Sequence, residues 1–331
     1  MAGFPDFWLR KGLVSTVLLP LAGLYRLVAE RRRRHYQANP QRSVKLPRPV
    51  IVVGNIFVGG TGKTPIVVWL SEELKRRGCR PGIITRGYGG SSNDWPQVVS
   101  LDSDPVLVGD EPVLLAQRTG CPVVADPNRV AAAQRLLSEF DCDVVISDDG
   151  LQHYRLARDL EIVVVDAQRG LGNGRLLPAG PLREAPTRLE QVDLVIANGD
   201  EGNSLTSACF QLHFSEAVNL LDGSCCAVTP EALGPQVHAV AGIGHPERFF
   251  QALRGQGFQV ATHAFADHHR FQAADLAFAD SAPRLMTEKD AVKCRPFATG
   301  NEWCVPVTAV LNDNAHERLQ ALLDQTLSEA I

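Results

Sequence analysis

Residues 50–65 read VIVVGNIFVGGTGKTP, an apolar run that leads into a glycine-rich turn and then into a helix-compatible stretch. The glycines let backbone N–H groups point into the turn, and the following helix offers its positive N-terminal end, so an anion is favoured there. Lys63 is expected to reach the β- and γ-phosphates of a nucleoside triphosphate, and Thr64 to offer its hydroxyl to Mg²⁺. The predicted phosphate-binding residues are Gly59, Gly60, Thr61, Gly62, Lys63 and Thr64.

Two positions in this loop depart from common patterns. Phe57 stands where the usual phosphate-binding loop has its first glycine, and Val58 stands where dimeric ATPases of the partitioning type carry a signature lysine. The second departure argues against a partitioning ATPase. The loop motif is specific for phosphates and carries no information about the base of the nucleotide.

Short apolar runs alternate with helix-compatible stretches after Pro49. We predict strands at Val50–Val53, Gly82–Thr85, Pro122–Ala125, Val144–Ser147, Ile162–Val165 and Leu194–Ala197. We predict helices at Pro65–Arg77, Glu111–Gln117, Asn128–Glu139 and Leu189–Val192. Valine- and isoleucine-rich runs separated by helices are typical of a parallel sheet buried on both faces. The predicted fold class is therefore α/β, with a doubly wound, mostly parallel sheet of the P-loop NTPase type.

A second series of strands and helices follows a predicted connector at residues 207–224. Its predicted strands are Val237–Ala241, Phe258–His263, Leu285–Thr287 and Val305–Val310. This series predicts a second, smaller α/β domain. The predicted divisions are an N-terminal segment at 1–46, a nucleotide-binding domain at 47–215 and the smaller domain at 216–331.

The N-terminal segment is apolar and basic. Residues 12–29 read GLVSTVLLPLAGLYRLVA, and four arginines follow at 31–34. A signal peptide is disfavoured, because positive charge follows the apolar part and no small-x-small cleavage site is evident. The run is near the lower length limit for spanning a bilayer and contains Pro20 and Arg26. A helix that lies in the membrane interface fits better, and the alternative is a helix packed on the protein's own core.

The composition narrows the classes of function. The 331 residues, of which 45% are hydrophobic, can form the cores of two ordinary domains. The formal net charge of -4 gives no global basic field, so we expect no nucleic-acid partner. The eight cysteines contain no CxxC pair, which argues against a zinc site and a disulfide framework.

Acidic motifs follow the predicted strands. VVISDDGLQH at 144–153 ends an apolar run in Asp148 and Asp149, at a strand end where acidic residues of nucleotide sites face the metal. Adjacent carboxylates repel each other unless a cation lies near them, although they could also simply cap the next segment. GDEP at 109–112 places Asp110 at the start of a helix, where its interaction with the helix dipole is a sufficient alternative explanation.

Basic and histidine-containing motifs complete the set. Arg86, Arg129 and Arg183 lie in loops or near strand ends, where guanidinium groups can bind phosphates, although a single arginine is more often a surface residue. FADHHRF at 265–271 places an aspartate beside two histidines, which could take part in proton transfer. TEKDAVK at 287–293 could flank a nucleotide base or could be ordinary helix capping.

These motifs occur together in an order that resembles one family. GNIFVGGTGKTP, RGYGG, GDEP, SDDGLQH, LPAGPLRE, FADHH and TEKD, after an apolar and basic helix, resemble the tetraacyldisaccharide 4'-kinases of lipid A assembly over nearly the whole chain. That family's loop also lacks the first glycine. The resemblance implies transfer of the γ-phosphate of ATP, with Mg²⁺, to the 4'-hydroxyl of a tetraacyldisaccharide 1-phosphate lipid. It also implies peripheral, monotopic attachment to the cytoplasmic face of the bacterial inner membrane.

The resemblance also implies roles for individual residues. Asp110 matches the catalytic base and His268 its partner, and the pair would form when the two domains close a cleft. The further implied catalytic residues are Asp149, Lys63 and Arg183, the implied metal ligands are Thr64, Asp148 and Glu184, and the implied substrate-binding residues are Tyr88, Arg129, Gln152 and His153. The alternative from another class is a membrane-attached P-loop NTPase switch without a lipid acceptor, which needs neither the DHH nor the GPLRE motif.

Overall fold

The computed structural model describes residues 5–199 and 205–328. Its strands are β1 (Val50–Gly54), β2 (Pro81–Thr85), β3 (Gln97–Val99), β4 (Val123–Ala125), β5 (Val144–Asp148), β6 (Leu160–Asp166), β7 (Leu194–Asn198), β8 (Cys209–Phe214), β9 (Ala217–Asn219), β10 (Cys225–Cys226), β11 (Gln236–Ala241), β12 (Gln259–Ala264), β13 (Arg284–Met286), β14 (Glu302–Cys304) and β15 (Val307–Leu311). Its α-helices are α1 (Asp6–Leu9), α2 (Leu13–Val17), α3 (Leu19–Ala38), α4 (Lys63–Arg76), α5 (Pro105–Val108), α6 (Asp110–Thr119), α7 (Arg129–Glu139), α8 (Pro230–Leu233), α9 (Pro246–Gly255), α10 (Glu288–Cys294) and α11 (Asp313–Ser328).

The large sheet has the predicted parallel architecture. Within the described residues its order is β15-β8-β7-β6-β1-β5-β2-β4-β3. The strands from β8 to β4 run parallel, and β15 and β3 are antiparallel at the two edges. Successive residues of β1 point to opposite faces, so Ile51 lies in one hydrophobic core and Val52 in the other. Burial on both faces explains why these strands are continuous apolar runs.

The arrangement of the helices creates a polar edge on this sheet. Helices α4, α6 and α7 each precede a strand of the parallel set in the chain, and they run opposite to the strands. The N-terminal ends of these helices therefore lie at the carboxyl edge of the sheet, where strands β1 and β5 also end. Unpaired helix N–H groups and strand-end side chains meet at such an edge, which is where doubly wound sheets bind ligands.

The smaller sheet differs from the prediction at one strand. Among the described residues its order is β10-β9-β14-β13-β11-β12, which includes three of the predicted strands. The assignment of Val305–Val310 to this series is wrong, because β15 pairs antiparallel with β8 in the large sheet. Without β15, the edge of β8 would expose unpaired backbone groups. Helix α11 follows β15, and its Leu319 and Leu323 pack into the core of the large sheet.

Two shorter predictions are also wrong. The predicted connector at 207–224 contains β8, whose alternating side chains are those of a strand with one covered face. The predicted helix at Leu189–Val192 is part of a short 3₁₀ helix at Pro186–Gln191. At the N-terminus the apolar segment forms two helices, α2 and α3, rather than one. Within the described ranges, no helix has the length and apolar character needed to cross a bilayer.

Candidate active site

The glycine-rich turn connects β1 to α4 and has the backbone of an anion-binding loop. Gly59 and Gly62 have φ values of 91° and 93°, a region that side chains strongly disfavour. A Cβ on Gly62 would also lie 2.3 Å from Asn198 Nδ2. Asn55 Nδ2 donates to the Gly59 carbonyl oxygen at 3.1 Å and lies 3.2 Å from Thr61 Oγ1. These contacts hold the loop from its protein side, opposite to the side on which N–H groups of such a loop bind an anion.

Phe57 has a structural role that explains the missing glycine. Its side chain is buried, and the Arg169 guanidinium lies 5.1 Å from its ring centroid. On either side of it, Val58 N donates to Pro181 O at 2.9 Å, and Arg183 N donates to Ile56 O at 2.7 Å. This short antiparallel pairing joins the loop to the LPAGPLRE segment. It brings Arg183 next to the glycine-rich loop.

Phe57→Ala is expected to lower the free energy of unfolding by about 3 kcal/mol, the usual scale for truncating a buried phenylalanine. The cavity would also loosen the contact between the loop and the segment around Arg183. Chemical denaturation of both proteins measures this difference. Phe140→Ala is the matched control. Phe140 is only half-buried, so truncating it should lower the free energy of unfolding by less. An equal loss in the two variants would contradict the anchoring role.

The adjacent aspartates at the end of β5 have different environments. Asp149 has a φ of 49°, its Oδ1 lies 3.4 Å from Lys63 Nζ, and Arg183 Nη1 donates to its carboxylate at 3.1 Å. Burial alone would raise the pKa of Asp149, but the Lys63 and Arg183 charges lower it well below the usual range. Burial and the nearby Glu111 carboxylate raise the pKa of Asp148 to about 7.

The residues present fit an Mg²⁺ ion held beside a nucleotide. Asp148 is 1% exposed, and its Oδ1 has no hydrogen-bond partner among residues 5–199 and 205–328. A buried carboxylate oxygen without a partner is costly, and a hard cation satisfies it. The described part of the chain contains no group of three or more His, Cys, Asp or Glu residues that could hold a metal. In proteins, Mg²⁺ is usually held by one or two carboxylates together with substrate phosphates.

Glu184, the third predicted metal ligand, is engaged in other contacts. Its Oε1 accepts a hydrogen bond from Gln152 Nε2 at 2.7 Å. Its Oε2 accepts one from the Tyr154 hydroxyl and lies 3.4 Å from Arg188 Nε. Both oxygens of Glu184 therefore have protein partners, and in this structure the carboxylate supports Gln152.

Asp110 and His268 form a pair that joins the two sheets. His268 Nδ1 lies 3.0 Å from Asp110 Oδ2 and 3.2 Å from Oδ1. His268 has a φ of 58°, a strained conformation for a residue that is not glycine. Burial alone would raise the pKa of Asp110, but the His268 hydrogen bond and the Lys289 charge lower it to about 2. Conversely, the hydrogen bond to Asp110 raises the pKa of His268.

His268→Gln is expected to lose more stability at acidic than at alkaline pH. Because the folded pKa of His268 lies above its unfolded value of about 6.5, pairing stabilises the fold fully below that pH. The contribution is lost as pH rises through the folded pKa. The difference in thermal midpoint between the parent chain and H268Q should therefore be larger at about pH 6 than at about pH 9. Differences of the same size at both values would contradict this titration.

The TEKDAVK motif supports the Asp110 pair. Lys289 forms an ion pair with Glu111, and Lys293 Nζ lies 3.7 Å from Asp110 Oδ2. The Thr287 hydroxyl donates to Asp290 Oδ2 at 2.6 Å instead of capping the helix. The motif therefore places two lysine ammonium groups beside the acidic residues at the start of α6.

The predicted substrate-binding residues differ in exposure and in their contacts. Tyr88 is 56% exposed, and its ring centroid lies 5.2 Å from that of His268. Arg129 is buried, and its guanidinium donates to the Asp149 carbonyl oxygen at 3.2 Å, which puts it beneath the acidic pair. His153 has a buried Nε2 without a partner in the described residues. Burial and surrounding arginines lower the pKa of His153 to about 4, so it is neutral near pH 7.

Two buried strand-end residues near the loop do not stand out in the sequence. Asn198 and Asp166 are the last residues of β7 and β6, and both are buried. Asn198 Nδ2 donates to the Thr61 carbonyl oxygen at 3.1 Å. The rule that polar residues just after parallel strands form the ligand site would have singled them out.

Comparisons with known proteins point to one family. The family model described as tetraacyldisaccharide-1-P 4'-kinase matches residues 14–327. A protein named tetraacyldisaccharide 4'-kinase from Alkalilimnicola ehrlichii is 54% identical, with 98% of this chain and 97% of that protein covered. One of the same name from Nitrosococcus oceani is 48% identical, with 98% and 95% covered.

A solved structure is similar over almost the whole fold. The crystal structure of LpxK from Aquifex aeolicus in complex with ATP has a TM-score of 0.81 and 29% identity, and the match covers 95% of this chain and 100% of that one. It confirms the P-loop NTPase-like α/β fold class. With the family model spanning most of the sequence, this chain belongs to the tetraacyldisaccharide-1-phosphate 4'-kinase family.

Proposed function

We propose that this chain is an ATP-dependent lipid kinase that transfers the γ-phosphate to the 4'-hydroxyl of a tetraacyldisaccharide 1-phosphate in lipid A biosynthesis. The observation that carries the proposal is the shared edge of the large sheet. The phosphate-binding loop and the Asp110–His268 pair both lie there, and Glu111, next to Asp110, is close enough to Lys63 for their charges to interact. The loop proposed to hold the phosphoryl donor and the residue proposed to accept the proton are therefore neighbours.

The loop and its cations are proposed to hold the triphosphate. Thr61, Gly62 and neighbouring N–H groups would bind the phosphate oxygens. Lys63 and Arg183, which neutralise Asp149 in this structure, would turn toward the β- and γ-phosphates. Phosphoryl transfer requires alignment and charge cancellation more than covalent chemistry, and these cations supply both.

Thr64 and Asp148 are the residues that would hold Mg²⁺. When bound, the ion would neutralise the charge that develops on the transferred phosphate. Asp149 remains ionised because of its low pKa, so its carboxylate would keep Lys63 and Arg183 oriented. Glu184 and Gln152 would hold the segment that carries Arg183.

Asp110 is proposed to accept the proton of the sugar hydroxyl. Its low pKa keeps the carboxylate unprotonated and so able to accept a proton, and the contact with His268 Nδ1 would hold it in position to take the hydroxyl proton. The exposed Tyr88 ring lies beside that of His268 and would guide the acceptor to it. His268 lies in the loop after β12 of the smaller sheet and contacts Asp110 in this structure, so both parts of the chain would contribute to the site. Their contact would exclude water from it, which would limit unproductive hydrolysis of ATP.

One labelling experiment tests this function. The protein would be incubated with Mg²⁺, ATP carrying ³²P at the γ position and a tetraacyldisaccharide 1-phosphate in detergent micelles. A kinase yields radioactive lipid, whereas a nucleotide switch yields only inorganic phosphate. Label confined to inorganic phosphate would contradict the proposal. The acceptor without its 4'-hydroxyl is the matched control and should remain unlabelled.

The N-terminal helices are proposed to rest on the membrane surface where such a lipid lies. The exposed apolar side chains of α2 and α3 are Leu13, Val14, Val17, Leu19, Leu21, Leu24, Leu27 and Val28. The other face of α3 is tied to the active site, because the Tyr25 hydroxyl donates to the Arg183 carbonyl oxygen at 3.1 Å. Peripheral attachment through this face would bring the site to an acceptor that stays in the bilayer.

Leu24→Gln with Leu27→Gln is expected to weaken binding to vesicles of anionic phospholipid by about 100-fold, or roughly 10-fold for each leucine taken out of the interface. Flotation with vesicles measures the partition coefficient. Leu221→Gln is the matched control, because Leu221 is 63% exposed in the turn between β9 and β10, away from α2 and α3. Unchanged partitioning of the double variant would contradict the proposed attachment.

A further inference from the structure

Helix α9 of the smaller sheet reaches the large sheet through one arginine. Arg248 Nη2 donates to Asn198 Oδ1 at 2.9 Å. Its Nη1 lies 3.4 Å from Asp166 Oδ2. The two acceptors are buried residues at neighbouring strand ends of the large sheet. A charged side chain from a helix of the smaller sheet therefore contacts buried polar side chains of the large sheet.

The same two acceptors hold the phosphate-binding loop. Asn198 also donates through Nδ2 to the Thr61 carbonyl oxygen. Asp166 lies 3.1 Å from Arg169 Nη2, which in turn donates to the Gly60 carbonyl oxygen. In a trans peptide the C=O and the next N–H point in opposite directions. Holding these two carbonyl oxygens on the protein side therefore turns the N–H groups of the following residues toward the phosphates.

Helix α9, which carries Arg248, is also linked to the turn that carries His268. Gly242, just after β11 and six residues before Arg248, accepts a hydrogen bond from His268 N at 3.3 Å. Gly242 N donates to Asp290 Oδ2 at 2.9 Å. The backbone that positions His268 is thus joined by a short loop to the first turn of α9. A continuous set of contacts leads from the nucleotide loop to the proton-accepting pair.

We propose that Arg248 is a positioning residue that couples nucleotide binding in the loop to the seating of His268 on Asp110. Phosphates order the loop peptides, the ordered peptides fix Asn198 and Asp166, and these two hold Arg248. Helix α9 and Gly242 then keep the His268 turn in place. The inference rests on the proposed roles of Asp110 and His268 in phosphoryl transfer, and it adds a residue to which neither the motifs nor that mechanism assigns a role.

The coupling is measured as the ratio of acceptor affinities with and without a nonhydrolysable ATP analogue. The acceptor would be a tetraacyldisaccharide 1-phosphate in detergent micelles, bound by the full chain with Mg²⁺. In the parent chain we expect the analogue to tighten acceptor binding about 5-fold or more, which is the usual range for coupled sites. In Arg248→Ala the ratio should fall close to 1, and kcat should fall about 10- to 100-fold, as for loss of a hydrogen bond that involves a charge.

Arg254→Ala is the matched control. Arg254 lies on the same helix, and its guanidinium pairs with Glu247 of that helix at 2.7 Å. This variant should keep the parent ratio and kcat. Thermal midpoints of both variants show whether folding is affected, and Arg248→Lys should restore part of the coupling if the charge matters. A purely structural role would lower the midpoint and leave the ratio unchanged.

Three outcomes would overturn the inference. These are a parent chain without coupling, an Arg248→Ala variant that keeps it, and an equal loss of coupling in the two alanine variants. The labelling assay on the parent chain separates this failure from that of the proposed function. If the parent chain labels the lipid while Arg248→Ala keeps full coupling, the kinase assignment stands and only the role of Arg248 fails.

Discussion

Asp110→Asn is expected to lower the first-order rate of phosphate transfer about 10²- to 10⁴-fold at saturating substrates, which is the usual contribution of a general base. The amide keeps the size of the side chain and cannot accept the hydroxyl proton. In this structure the carboxylate is held ionised by His268 and by the lysines of the TEKDAVK motif. Rapid-quench measurement of a single turnover reports this step without interference from product release.

A second histidine–aspartate pair provides the control for that experiment. His269 Nε2 lies 3.0 Å from Asp275 Oδ2 within the smaller sheet's own loop region. Asp275→Asn removes the same kind of contact and should leave the transfer rate within about 3-fold of the parent, as expected for a change outside the site. An Asp110→Asn variant that transfers phosphate at the parent rate would remove Asp110 from the role of base.

Lys63→Met is expected to lower kcat/KM for ATP about 10²- to 10³-fold, the effect of deleting one charge-stabilising donor from an active site. Methionine keeps most of the length and removes the ammonium group. The variant also removes the ammonium that lies 3.4 Å from Asp149 Oδ1, while Arg183 keeps its ion pair with that carboxylate. Steady-state transfer to the lipid acceptor over a range of ATP concentrations measures the change.

The control for this substitution lies on the same helix. Lys75 is near the C-terminal end of α4, where its ammonium donates to the Thr119 carbonyl oxygen away from the loop. Lys75→Met should alter kcat/KM by less than about 3-fold, since it removes a charge without touching the nucleotide site. Equal losses in the two lysine variants would indicate a general effect on α4 rather than a role for Lys63 in phosphate binding.

Much of the large sheet could be predicted because local sequence decides it. Strands such as β1 and β5 are buried on both faces, so their apolar runs are continuous and end where the polar site begins. The loop after β1 needs glycines at positive φ, and the sequence displays them directly. By contrast, β15 lies about a hundred residues from its partner β8, and no local pattern tells which sheet an edge strand will join.

Sequence alone determined the phosphate-binding loop, the acidic strand end and the family, because these depend on residue types at fixed short spacings. The tertiary structure decided which of the polar residues meet. It paired Asp110 with His268 across 158 residues of chain, engaged Glu184 with Gln152 and Tyr154, and brought Arg248 to the strand ends behind the loop. Hydrogen bonds and ion pairs act over a few ångströms, so such partnerships arise only after burial of the two cores has brought distant segments together.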